Sequence, residues 1–273
     1  MKSLNDTHYF QDPPHRAPEQ EHRYGPQVHL LADACLQSEL ATLCSAGTGQ
    51  PLINTLVESI YASLIRTVVN AEFPRRKTEV RTRMAEAHPE GCFETLLLDP
   101  EQKTVTVNLA RAGTLPSHVC YRALNHLLNP LKVRQDHISI ARQTDSSHHV
   151  TGSAVSGHKI GGSVDDSILL IPDPMGATGA TLDETLNLYR SYGRPAKTIA
   201  IHCIVTPEYL KRLRDTHPDL IVYAIRLDRG LSPSDVLSTV PGTFWDRERG
   251  LNEHQYIVPG GGGFGEIMNN AYV

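Results

Sequence analysis

Asp173 is followed at once by Pro174-Met175-Gly176-Ala177-Thr178-Gly179-Ala180-Thr181, a carboxylate set directly before a run of small residues. A fixed carboxylate at such a place can hold a ribose diol or a phosphate-bound cation. Small residues let a phosphate approach backbone N–H groups, and the hydroxyls of Thr178 and Thr181 add donors. The flanks say how the run is positioned. Ile168-Leu169-Leu170-Ile171 has the length and composition of a buried strand. Thr181 and Glu184 have the spacing of a capping box, which predicts a helix starting at Thr181. Leu182, Leu186 and Tyr189 then recur on one helix face, and Gly193 stands where a C-terminal cap belongs. Strand, loop and helix N-terminus together make an anion site. The plainer reading is an ordinary strand-to-helix turn, and Asp173 tips the balance toward a site.

Two arginines belong to the same picture. Lys103–Leu109 alternates β-branched residues as a strand does and runs into Arg111-Ala112-Gly113. An apolar helix is expected around 119–128, then a short strand over His137–Ala141 that ends at Arg142. Thr198–Val205, Glu208–Asp215 and Leu220–Leu227 read as strand, helix and strand. Repeated strand–helix units predict a parallel sheet with helices on both faces and ligands beyond the C-terminal strand ends. Arg111, Arg142 and Asp173 all fall at such ends. Two permanent cations, an anion loop and a carboxylate describe a site for a polyphosphorylated sugar.

At 273 residues the chain can bury a sizeable core, and its formal net charge of −4 argues against a nucleic-acid or membrane-surface binder. No segment is expected to approach membrane-span length, and the N-terminus lacks the layout of a signal peptide. The five cysteines are scattered without metal-ligand pairing, as in a cytoplasmic protein. Residues 1–27 are rich in proline and charge and are expected to form a flexible arm, free or draped over a partner subunit. His8, His15 and His22 fall in it, and a solvated tail explains them better than a metal site. From Val28 to about Val69 the pattern is helical, with a break at Gly47–Pro51. Arg75-Arg76-Lys77 reads as a solvated turn, and His148-His149 as exposed loop residues.

The segment from Asp173 to Thr181 resembles the phosphoribosyl-pyrophosphate (PRPP) loop of uracil phosphoribosyltransferases, usually DPMLATGGS. Arg111-Ala112-Gly113 is similar to that family's RAG pyrophosphate loop, and His217-Pro218-Asp219 to its HPD. Leu251-Asn252-Glu253-His254-Gln255-Tyr256-Ile257-Val258-Pro259-Gly260 is nearly its LNEHGYIVPG hood. The resemblance implies an α/β, type I phosphoribosyltransferase fold. That fold has a central parallel sheet flanked by helices, an N-terminal helical region, and a C-terminal hood within about 228–273 of a single domain, 28–273. It implies transfer of a phosphoribosyl group from PRPP to uracil, giving UMP and pyrophosphate. Residues 173–181 would then hold the 5′-phosphate and ribose hydroxyls, and Arg111 and Arg142 the pyrophosphate, with Lys159 matching the family's lysine by spacing. Arg111 and Asp173 would be catalytic. Mg2+ would arrive on PRPP with no protein metal site. The base would be read by backbone at Ile257 and Gly262–Phe264, with Tyr256 beside them and the Pro259-Gly260 turn shaping the pocket. A homodimer or higher homo-oligomer is expected.

Departures from the family bear on the base. Its GLGDAGDR appears as Gly260-Gly261-Gly262-Gly263-Phe264-Gly265-Glu266-Ile267, so glycine stands where the family has its first aspartate. Either Glu266 or Asp246 takes over that space, or the ligand does not need the charge. If the charge is simply missing, Gly263→Asp should raise uracil turnover. An insertion lies between Asp228 and Leu251 and holds the single tryptophan, Trp245. A same-fold enzyme for another or modified base, and an inactive PRPP- or nucleotide-binding regulator, are the alternative readings.

Overall fold

The computed structural model describes residues 4–5, 7, 17–144 and 150–271, and the side chains of 140–144 and 150–155 lie outside that description. The expectations for His8, His15, His148 and His149 therefore fall outside the described residues. Strands β1 (Leu4–Asn5) and β2 (Val28–Leu30) come first, then helices α1 (Ala34–Leu43) and α2 (Leu52–Glu72). An antiparallel pair follows, β3 (Arg75–Arg81) and β4 (Cys92–Leu98). The middle runs β5 (Thr104–Ala110), α3 (Thr114–Leu127), β6 (Val133–Thr144) and β7 (Val150–Lys159). It continues as β8 (Ile168–Pro172), β9 (Met175–Gly176) and α4 (Ala180–Tyr189). The chain closes with β10 (Lys197–Val205), α5 (Pro207–Thr216), β11 (Ile221–Leu227), α6 (Ser234–Leu237) and α7 (Phe264–Ile267).

The main sheet has the order β2-β11-β10-β8-β5-β6-β7, with β9 pairing to β10. Every pairing in it is parallel except β6 with β7. Burial explains the apolar runs: β8 is buried at all five residues, because a parallel strand has helices over both faces. On one face Val57, Ile60, Leu64 and Val68 of α2 and Leu124 of α3 pack on Ile168, Leu170, Ile199 and Ile201. On the other, Leu182 and Leu186 of α4 and Leu210 and Leu213 of α5 pack on Val105, Val107, Leu169, Ile171 and Ala200. Alternate strand residues serve opposite faces, as the period-two geometry requires.

Four expectations are corrected. Val28–Leu30 is a strand and not the start of a helix, pairing with Val222–Ala224 at the sheet edge; periodicity cannot separate so short an apolar run from a helical one. Arg75-Arg76-Lys77 begins β3 and does not form a turn; Lys77 and Arg76 make cross-strand ion pairs with Glu94 and Asp99. Helix α2 is long and apolar enough to cross a membrane by length and composition, against the expectation that no segment is. Its residues Val57, Ile60, Tyr61, Leu64, Ile65 and Val68 are fully buried, so its apolarity is that of a core helix. Residues 17–26, expected in the arm, pack on this chain: Gln20 N–H donates to Leu30 O and Tyr24 is buried.

Tyr24 meets the insertion. Its ring stands edge-on to Trp245 at 4.8 Å between centroids, and its hydroxyl donates to Glu248. Glu248 is 1% exposed and also accepts from Arg229 at 2.8 Å and from Gly242 N–H at 2.9 Å. Arg229 in turn donates to the carbonyls of Val236, Leu237 and Thr239. The insertion is thus folded around one satisfied buried ion pair. Glu248→Ala strands the Arg229 guanidinium and is expected to cost about 3–5 kcal/mol by urea unfolding. Asp246→Ala, which removes an exposed pair with Lys211, is expected to change little.

Candidate functional site

Strands β5 and β8 are parallel neighbours, yet the chain leaves β5 toward β6 and leaves β8 toward β10. The carboxyl ends of two such strands open a crevice between diverging connections. At the end of β5 the Ala110–Arg111 peptide is cis and leads into α3. Gly113 makes this turn possible, since a Cβ there would lie 2.8 Å from Leu109 O. At the end of β8 stands Asp173. Above both lies a cleft of about 630 Å3. Arg111, Ala112, Asp173, Met175 and Ala177–Thr181 line it from the strand ends. Tyr256, Ile257, Gly262, Gly263, Phe264 and Glu266 line it from the hood.

The anion loop lies directly on β10 and α5. A Cβ on Gly176 would come within 2.9 Å of the Val205 side chain and 3.1 Å of the Tyr209 ring, so only glycine fits. The capping box does not form. Gly179 takes φ +77° as the N-cap, turning the chain so that α4 begins at Ala180, and Thr181 lies inside the helix. The hydroxyl of Thr178 accepts from Ala180 N–H, while Gly179 has no side chain to cap the first turn. Thr178–Thr181 line the cleft at the start of α4, the end of a helix that favours an anion. Gly193 does terminate the segment, with φ +117° after a short 3-10 turn.

Asp173 is held through its backbone. Its N–H donates to Ile201 O at 3.0 Å, and its carbonyl accepts from His202 Nδ1 at 2.6 Å. His202 Nε2 accepts from the Tyr209 hydroxyl at 2.5 Å. Burial lowers the His202 pKa to about 4, so the ring is neutral and the tautomer follows from these partners. Burial raises the Asp173 carboxyl to about 7, opposed by the Met175 N–H. Arg111 reaches across to the C-terminal segment, where Nη1 donates to Ala271 O at 2.8 Å.

The hood is pinned at its stem. Asp228, 2% exposed, accepts two bonds from Arg226, at 2.6 and 2.8 Å, and one from Gly260 N–H at 2.7 Å. Gly260 itself takes φ +60°, and a Cβ there would sit 2.2 Å from Ile257 O. Glu208 of α5 accepts from the N–H groups of Gly250 and Leu251, where the insertion rejoins the hood. Phe264 is 2% exposed and anchors α7 in the core beneath the cleft. The Glu266 carboxylate occupies the space in front of Gly263: a Cβ there would lie 1.6 Å from Glu266 Oε2, so a side chain at 263 requires Glu266 to turn away. Asp246 pairs with Lys211 in the insertion and does not line the cleft.

The sequence-derived residues divide accordingly. Arg111, Ala112, Asp173, Met175, Ala177–Thr181, Tyr256, Ile257, Gly262, Gly263 and Phe264 come together around the cleft. Gly113, Pro174, Gly176 and Gly260 are not among the described lining residues. Lys159 is exposed at the end of β7, paired in register with His137, and is not among the described lining residues. Arg142 lies on β6 opposite Ser153, and its side chain is outside the described residues. The sequence reading missed His202, Tyr209 and Arg212, which also line the cleft. Nothing in their spacing marks them, since a strand and the helix after it bring them under the loop.

The family model of uracil phosphoribosyltransferase matches residues 30–247. A uracil phosphoribosyltransferase of Clostridium novyi is 26% identical over 243 residues, covering 89% of this chain and 97% of that protein. One of Dictyoglomus thermophilum is 27% identical over 242 residues, covering 88% and 98%. The structure of AQ2163 protein from Aquifex aeolicus superposes with a TM-score of 0.69 at 21% identity, covering 90% of this chain and 99% of that one. That likeness is one of fold.

The raised Asp173 value has a stability consequence. The folded carboxyl binds its proton more tightly than an unfolded aspartate of pKa about 3.9. Its contribution to stability is therefore fully present below that unfolded value and is lost as pH rises through about 7. Asp173→Asn removes this loss, so the variant should gain on the wild type between pH 5 and pH 8 in urea unfolding. A constant difference across that range would contradict the raised value of the Asp173 carboxyl.

Proposed function

Because the chain belongs to the uracil phosphoribosyltransferase family, we propose that it transfers the 5-phosphoribosyl group of PRPP to uracil, giving UMP and pyrophosphate. The observation that carries this reading is the single cleft into which Arg111, the 173–181 loop and the hood backbone all open. In this reading the loop N–H groups and the hydroxyls of Thr178 and Thr181 bind the 5′-phosphate. Asp173 accepts from the ribose hydroxyls. Arg111 exchanges the Ala271 carbonyl for pyrophosphate oxygens, where charge grows as the anomeric bond breaks. Backbone groups of Ile257 and of 262–264 face the alternating acceptor and donor edge of uracil, which fixed N–H and C=O groups can match. The described residues hold no cluster of three or more metal-ligating side chains, but Asp173 and Glu266 both border the cleft. That donor set suits Mg2+ carried by substrate oxygens and water, with these carboxylates beside it. Bound there, the ion supplies neutralisation of pyrophosphate charge.

Incubation with PRPP, Mg2+ and a panel of bases, read as pyrophosphate release, tests the proposal. Uracil-dependent release is expected; release only with another base supports an altered specificity, and PRPP binding without release a regulator. Glu266 fills the space of the family's aspartate, so Glu266→Gln is expected to lower turnover about ten- to a hundredfold. Gly263→Asp sets a second carboxylate beside that of Glu266, which must turn away to admit it, so no gain is expected in the same assay, against the expectation drawn from sequence.

A further inference from the structure

Arg111 and Arg212 are the two lysine or arginine residues among the described lining of the cleft. Arg111 stands at the end of β5, whereas Arg212 comes from α5 on the opposite side, against the anion loop. Its stem packs on the loop's left-handed residue: a Cβ on Gly179 would lie 3.3 Å from Arg212 Cδ. Its guanidinium is only loosely engaged. Nη1 donates to Thr178 O at 3.4 Å, and Nε lies 3.7 Å from Asp183 Oδ2. Both are longer than an ordinary N–H···O bond. Asp183 has a firmer partner in His217 Nε2 at 2.8 Å. A guanidinium carries five donors, so most of the Arg212 fork remains for a ligand.

The substrate proposed above has two anionic ends, and the cleft has two arginines on opposite sides. A phosphate monoester carries between one and two negative charges at neutral pH. The 177–181 loop by itself offers it only N–H groups, hydroxyls and a helix dipole. We infer that Arg212 is a second-cation ligand for the 5′-phosphate of the phosphoribosyl substrate, closing over the loop from α5. The inference rests on the phosphoribosyl-transfer reading. When phosphate arrives, the fork exchanges its long contact to Asp183 for charged bonds to phosphate oxygens, and Asp183 keeps His217.

The test uses the full chain and two separate ligands, ribose 5-phosphate and inorganic pyrophosphate, titrated calorimetrically. Arg212→Gln should weaken ribose 5-phosphate about ten- to a hundredfold and leave pyrophosphate unchanged. The wild-type affinity for ribose 5-phosphate should fall more steeply with added salt than that of the variant, because a charge contact has been removed. Arg212→Lys should recover part of the loss. Equal ribose 5-phosphate binding by wild type and Arg212→Gln overturns the assignment. So does a weaker variant with unchanged salt dependence, which would mark Arg212 as a brace for Thr178. A wild-type chain that binds neither ligand removes the phosphoribosyl reading, and this inference with it. An unchanged melting temperature of Arg212→Gln identifies any loss of binding as local.

Discussion

The site depends on the burial of β8. All five of its residues are out of water, so each backbone N–H and C=O must find a partner in the flanking strands. The partners are β5 and β10, and their registers fix where each strand ends relative to Asp173. A slip of one residue would turn Leu169 and Ile171 from the α4–α5 face to the α2–α3 face, exchanging two filled cores. Arg111 and Asp173 are therefore placed by hydrogen-bond accounting in the sheet, far more firmly than loop residues of their kind could be by contacts of their own.

Helix α5 is the second support, and it works through side chains. Thr206 caps its N-terminus by accepting from Tyr209 N–H, and the same hydroxyl donates to Ala177 O in the loop. Tyr209 reaches Asp173 O by way of His202. On its other flank the helix receives Gly250 and Leu251 on Glu208, and Trp245 donates to Pro207 O. One ten-residue helix thus touches both the loop assigned to the sugar phosphate and the stem of the hood assigned to the base. Thr206 at its N-cap and Arg212 within it meet the loop at carbonyl oxygens, those of Gly176, Ala177 and Thr178.

What could be read in advance follows from which interactions are local. Ile168–Ile171, the small-residue loop and the amphipathic run through Leu182, Leu186 and Tyr189 carry their structure in their own spacing, and they formed as expected. The helix start moved because Gly179 can take a left-handed turn that no capping pattern encodes. Val28–Leu30 was misread because a three-residue strand gains its identity from β11, nearly two hundred residues later. His202 and Arg212 were invisible for the same reason: their relation to the loop exists only once β10 and α5 are folded against it. Glu266 was named as one way to fill the space at Gly263, but choosing it over Asp246 needed the geometry of α7.

The hood stem carries a consequence for traffic in and out of the cleft. Gly230 N–H donates to Val258 O and Val258 N–H to Gly250 O, Gly260 is tied to Asp228, and the insertion beside them is closed by Glu248. A cover riveted along its base cannot swing as a plate. What is left least tied is the exposed turn at 253–256, braced by Asn252 Oδ1 accepting from the N–H groups of His254 and Tyr256, with Gln255 at φ +64°. Asn252 N–H donates to Tyr256 O and Gln255 N–H to Asn252 O, so this four-residue edge of the hood is folded on itself while the rest is fastened to the body of the chain.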